Sequence, residues 1–116
     1  MVKFTVVSGN ASTDLAKRIA RKLKSPYIKT EKKVFPDGES KITINQIPKK
    51  SIVVVVQSTY PPVDSNLLEL LSIVSKVQKF SSKVYAVIPY MGYARQDREF
   101  LGGEIITIGV VGKLLK

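Results

Sequence analysis

Apolar and polar residues follow two different periods along the chain, and each change of period marks an element. Residues 2–7 are a short apolar-rich stretch closed by Ser8, Gly9 and Asn10, which reads as a strand and its turn. Leu15, Ile19 and Leu23 then recur four residues apart beside Ala16 and Ala20, as one helix face, while Lys17, Arg18, Arg21, Lys22 and Lys24 fall on the other. Ser12 stands where an N-cap belongs, Asp14 in the first turn suits the helix dipole, and Ser25-Pro26 ends the helix. Residues 27–34 alternate loosely, as a strand exposed on one face, and residues 41–45 alternate strictly, as a half-buried strand. Pro36-Asp37-Gly38 between them is a turn signal, so the pair forms a hairpin with Phe35 and Glu39 at its tip.

Residues 52–56, Ile-Val-Val-Val-Val, show no alternation and suit a central strand covered on both faces. Gln57 to Pro62 is a loop, Asp64 is an N-cap, and Leu67, Leu70, Leu71, Val74 and Val77 trace a helix face to about residue 80. Residues 84–88 read as a second buried strand, which Pro89 must end because it cannot donate to a sheet ladder. Strand–helix–strand with buried strands predicts an α/β fold, a mainly parallel sheet flanked by helices with right-handed crossovers and a projecting hairpin. Ligands of such sheets sit beyond the carboxyl ends of the strands, where Ser8 to Asn10, Ser58 to Pro62 and the loop after Pro89 gather. Residues 105–115 are apolar around nearly their whole circumference, and Gly109 and Gly112 each cost a helix about 1 kcal/mol relative to alanine. Such a segment needs cover from a second subunit or from further sequence.

Composition narrows the chemistry. A chain of 116 residues with 44% hydrophobic and 24% charged content fits one ordinary globular domain. No apolar run approaches the ~20 residues of a membrane span, and residues 1–4 lead into a strand without a signal-peptide layout. There is no cysteine and no histidine, which removes disulfides, thiolate chemistry and the commonest general base and metal ligand. That usage fits a cytoplasmic protein. The net charge is +10, with twelve Lys/Arg against four Asp/Glu in residues 1–50 and seven against five thereafter. The imbalance points to an acidic partner such as nucleotide phosphates or nucleic acid, or to a solubilising lysine face. Neither GxGxxG nor GxxxxGK[ST] is present, so neither a dinucleotide fingerprint nor a P-loop can be claimed.

Two stretches carry candidate chemistry. The loop of residues 89–99 holds two of the four arginines, Arg95 and Arg98, with Gln96, Asp97, Glu99, Tyr90 and Tyr93. Arginine's planar fork grips phosphate bidentately or lies flat on a base, which lysine does less well. The other reading of this loop is a solvated cluster whose charges pair with one another. At the hairpin tip, Phe35 beside Asp37 and Glu39 reads either as a stacking platform with acceptors for an exocyclic amine, or as a tip folded onto its own core.

Several pieces together resemble one family, ribose-phosphate pyrophosphokinase or phosphoribosyl pyrophosphate (PRPP) synthetase. They are Ser8-Gly9-Asn10-Ala11-Ser12 with Leu15-Ala16, Phe35-Pro36-Asp37-Gly38-Glu39, Gln57-Ser58-Thr59, Asn66 to Leu71, and Val87-Ile88-Pro89-Tyr90 running into Gly92-Tyr93-Ala94-Arg95-Gln96-Asp97. The run Arg98-Glu99-Phe100 with Gly103-Glu104 is most similar to archaeal members. The resemblance implies a phosphoribosyltransferase-type fold and transfer of pyrophosphate from ATP to ribose 5-phosphate with Mg2+. It implies that Phe35 stacks on adenine, with Arg95 on the ring's other face, often from a neighbouring subunit of a homo-oligomer. Asp37 and Glu39 then meet the base's polar edge, Gln96 and Asp97 hold the nucleotide, and Arg98, where the family often has lysine, faces the phosphates.

Family members are more than twice this long, and the metal-binding histidine, the basic catalytic loop and the ribose 5-phosphate loop come after residue 116. Residues 1–116 are therefore expected to be the N-terminal, ATP-binding domain, incomplete at its C-terminus and inactive alone, with the Mg2+ ligands and the ribose 5-phosphate site outside this chain. Two other classes stand beside this reading. One is a non-catalytic assembly or regulatory subunit that keeps the fold. The other is a basic nucleic-acid-binding module, against which the aromatics lie mostly away from the lysine-rich half, at Phe35, Tyr60, Tyr90 and Tyr93.

Overall fold

The structure, a computed structural model, describes residues 3–46, 50–93 and 113–115. Four strands, β1 (Phe4–Ser8), β2 (Tyr27–Lys29), β5 (Ile52–Val56) and β6 (Lys83–Val87), form one wholly parallel sheet in the order β2-β1-β5-β6. Helix α1 (Thr13–Leu23) joins β1 to β2, and α2 (Val63–Gln78) joins β5 to β6. The strands β3 (Glu31–Val34) and β4 (Ser40–Thr43) pair antiparallel as a separate hairpin. The parallel sheet, its helices and the hairpin are as the sequence predicts.

Central strands lack alternation because both faces are covered. Val6, Val54 and Val56 pack with Ala16 and Ala20 of α1, while Val7, Val53 and Val55 pack with Leu70, Ile73, Val74 and Val77 of α2. The connection after β1 runs to one side and that after β5 to the other. The adjacent carboxyl ends of β1 and β5 therefore form a topological switch point, where ligands of open α/β sheets are held.

The structure departs from the sequence reading at several elements, each for a packing reason. Residues 27–34 are two strands, because Thr30 is fully buried and gives both its N–H and its hydroxyl to the Ser8 carbonyl, each at 3.1 Å. Helix α1 meets the sheet through Ala16 and Ala20, whose small side chains allow a close approach, and Leu23 at its end is exposed. Asp64 lies in the first turn of α2, where it complements the dipole, and Pro62 occupies the cap position. Strand β6 is an edge of the described sheet rather than a buried strand, with Tyr85 48% exposed beneath the Lys83 ammonium. Of the apolar segment 105–115, only residues 113–115 are among those described, and Leu115 packs against the α2-side core.

Candidate functional site

The loops that leave the carboxyl ends of β1, β5 and β6 are bound to one another. Gly9 N–H donates to the Val56 carbonyl at 3.2 Å, Gln57 N–H to Val87 at 3.1 Å, and Thr59 N–H to Tyr90 at 2.9 Å. Ser12 has the sequence of an N-cap, yet its hydroxyl accepts the Ser58 N–H at 2.9 Å instead of a helix amide. That hydroxyl latches the start of α1 to the exit of β5. Beside it lies a cleft of about 470 Å³ walled by Ser12, Asp14, Arg18, Ser58, Tyr60 and Pro89.

Beneath these loops is a buried polar network. Gln57, fully buried, accepts the Ala11 N–H at 3.1 Å and donates to Glu69 at 2.8 Å and more weakly to the Asn66 carbonyl at 3.4 Å. The other Glu69 oxygen accepts the Asn10 side-chain amide at 2.6 Å and its N–H at 3.4 Å. A buried carboxylate is tolerable only when such donors replace its hydration. Glu69 thus ties α2 to the loop after β1. The sequence reading treats Gln57 and Glu69 only as pieces of a family motif and assigns them no structural part. A helical wheel held the signal, since Glu69 shares the buried arc of α2 with Ile73, four residues on.

The second candidate region is the β3–β4 hairpin. Phe35 N–H bonds to the Glu39 carbonyl at 2.8 Å and Gly38 N–H to the Phe35 carbonyl at 2.9 Å, which closes a tight turn. Gly38 has φ +95°, so the turn and its following bulge need a residue without a Cβ penalty. Asp37 Oδ1 accepts the Glu39 N–H at 3.0 Å and stiffens the tip. Phe35 is 37% exposed rather than folded onto the core, and the Lys33 ammonium lies 5.3 Å from its ring centroid. The structure thus brings Phe35, Asp37 and Glu39 together on one exposed tip. Arg95, Gln96, Asp97 and Arg98 lie outside the described residues. Among the described residues no group of three or more His, Cys, Asp or Glu side chains is placed to hold a metal ion.

Fold and edge together define a class: a parallel α/β domain, helices on both faces, with polar loops gathered at the carboxyl edge and an aromatic-tipped hairpin. Within that class the chain belongs to the family of the N-terminal domain of ribose phosphate pyrophosphokinase, whose family model matches residues 4–116. A ribose-phosphate pyrophosphokinase of Fusobacterium nucleatum is 44% identical over 119 residues, covering 99% of this chain and 38% of that protein. One from the archaeon Sulfurisphaera tokodaii is 38% identical over 107 residues, covering 91% of this chain and 37% of that protein. The crystal structure of phosphoribosylpyrophosphate synthetase from Mycobacterium smegmatis aligns with a TM-score of 0.88 at 25% identity, over 97% of this chain and 38% of that one. The chain therefore spans well under half the length of these relatives.

Proposed function

We propose that this chain is the ATP-binding N-terminal part of a ribose-phosphate diphosphokinase, which transfers pyrophosphate from ATP to ribose 5-phosphate to give PRPP and AMP. One observation carries the reading: Phe35 is displayed on an exposed, hydrogen-bonded hairpin tip with Asp37 and Glu39 beside it. A flat ring offered to solvent and flanked by acceptors is what a purine with an exocyclic amine needs. Arg95 closes the other face of the base, contributed by a neighbouring copy in a homo-oligomer, and the guanidinium adds cation–π attraction. Gln96 and Asp97 hold the nucleotide, and Arg98 faces its phosphates. Lys33 already covers part of one face of Phe35, so the base stacks on the free face or displaces the ammonium.

The transfer itself belongs to the whole protein, with Mg2+ and ribose 5-phosphate held by residues outside this chain, in the cytoplasm. The chain alone is not expected to complete it. Adenine-nucleotide titration of the parent, Phe35→Ala and Arg95→Ala tests the reading. Stacking of a base is worth about 1–3 kcal/mol, so each substitution should weaken binding roughly fivefold to a hundredfold. Unchanged affinity in both variants of a chain that does bind nucleotide refutes the sandwich.

A further inference from the structure

The hairpin that displays Phe35 is sorted by face. Lys32 and its register partner Ile42 turn toward the domain: Lys32 Nζ donates to Ser65 Oγ of α2 at 2.7 Å, and Ile42 packs against the α2-side core. Side chains alternate along a strand, so Lys33 and its register partner Lys41 stand on the opposite face, both exposed. Two ammonium groups directly across an antiparallel pair repel each other and weaken the strand pairing. Nearby carboxylates on the hairpin are engaged elsewhere. Glu31 Oε1 accepts the Asn45 side-chain amide at 3.0 Å, and Asp37 Oδ1 accepts the Glu39 N–H at 3.0 Å. Lys33 leans instead on a neutral ring, its ammonium 5.3 Å from the Phe35 centroid, which is a weak hold at an exposed site. Charge is therefore ordered along the hairpin: Asp37 and Glu39 at the tip, then the Phe35 ring, then two cations further from the tip. Lys33 and Phe35 are two residues apart, about 7 Å of strand, a span that a ribose bridges.

We propose that Lys33 and Lys41 form a phosphate-binding couple for the nucleotide whose base rests on Phe35. A nucleotide has the polarity of this hairpin, an amine-bearing base edge at one end and a polyanion at the other. Laid with its amine toward Asp37 and Glu39, it brings its phosphates over the two lysines. A phosphate between the ammonium groups replaces their repulsion with two attractions, and it draws Lys33 off the ring that the base needs. The couple gives the hairpin a preference for nucleotides over nucleosides. This inference rests on the nucleotide reading given above.

The test titrates the full chain with ATP and with adenosine, at low and at high salt. Lys33→Gln and Lys41→Gln are each expected to weaken ATP binding about threefold, and the double variant about tenfold, the scale of exposed charge pairs. Adenosine has no phosphate and should bind every variant within about twofold of the parent. Lys33→Arg keeps the charge and should hold ATP within about twofold of the parent. Added salt should bring the parent's ATP affinity down toward that of the double variant. Lys22→Gln removes one positive charge from the exposed face of α1 and should leave ATP affinity unchanged, which separates the couple from the net charge of +10. The Tm of Lys41→Gln should equal or exceed the parent's, since one of two opposed like charges is gone. Parent-like ATP affinity in the double variant, with the Phe35→Ala loss intact, overturns the proposal and leaves the nucleotide reading standing. Equal losses for ATP and adenosine overturn it too, as does a loss in Lys22→Gln as large as in the hairpin variants. A lower Tm in both single variants shows the lysines to be part of the hairpin's own structure and also overturns it. Absence of ATP and adenosine binding by the parent overturns the nucleotide reading and this inference together.

Discussion

Gly9→Ala is the substitution that most directly probes the carboxyl edge. A Cβ on Gly9 would collide with Gln57 Oε1, with Gln57 Cδ at 2.6 Å and Nε2 at 3.1 Å. An exposed glutamine would swing aside at little cost. Gln57 cannot, because it is fully buried and bonded to the Ala11 N–H, the Glu69 carboxylate and the Asn66 carbonyl. Moving it strands a backbone donor and removes one donor from a buried carboxylate. Each buried group left unsatisfied costs about 1–3 kcal/mol, so two place the loss at about 2–6 kcal/mol. Urea unfolding of the parent, Gly9→Ala, Gln57→Ala and the double variant measures it. Once Gln57 is cut back to alanine the collision partner is gone, and Gly9→Ala should then cost under about 1 kcal/mol. A cost below about 1 kcal/mol in the parent, or the same cost in both backgrounds, refutes the argument.

Other substitutions separate backbone, core and network effects. Gly38→Ala meets no atom within 4 Å, so its cost is that of φ +95° alone, about 1–2 kcal/mol by thermal unfolding. Weaker nucleotide binding should accompany it, because the same turn displays Phe35. Glu69→Leu takes the acceptor from the Asn10 side-chain amide and N–H and leaves Gln57 Nε2 only its longer bond to the Asn66 carbonyl, and should cost about 1–3 kcal/mol by denaturant unfolding. Leu70→Ala opens a cavity in the α2-side core and should cost about 2–5 kcal/mol, whereas Leu68→Ala, at a position 56% exposed, should stay within about 0.5 kcal/mol. Equal effects at these two leucines would show that α2 is rotated from the position described. Phe35→Ala should leave stability nearly unchanged, since the ring rests on no core cluster.

The network beneath the loops also explains why two short polar segments recur among the pieces that carry the family resemblance. Ser58 walls the cleft at this edge, while Gln57, Thr59 and Glu69 are buried behind it. They join the loops that leave three strands, and through Thr59 they reach Gly92. Ligand chemistry at this edge is therefore expected to depend on residues that never touch a ligand.

Periodicity alone determined much of this protein. A period of two on the hairpin strands, an unbroken valine run in β5 and a four-residue apolar spacing on the helices were enough for a parallel α/β domain. Pro36-Asp37-Gly38 was enough for the turn, because Gly38 takes its φ of +95° without a Cβ penalty. Tertiary structure decided the rest. Thr30 splits a stretch that reads as one strand, since its two donors reach a carbonyl 22 residues earlier. Ser12 abandons its own helix for an amide 46 residues away, and Glu69 enters the interior to meet Asn10, 59 residues off. A local pattern reports which side of an element is apolar. It carries no information about which distant donor will stand opposite a polar side chain, or which strand will be left at the sheet's edge, because those depend on contacts made only once the chain has closed on itself.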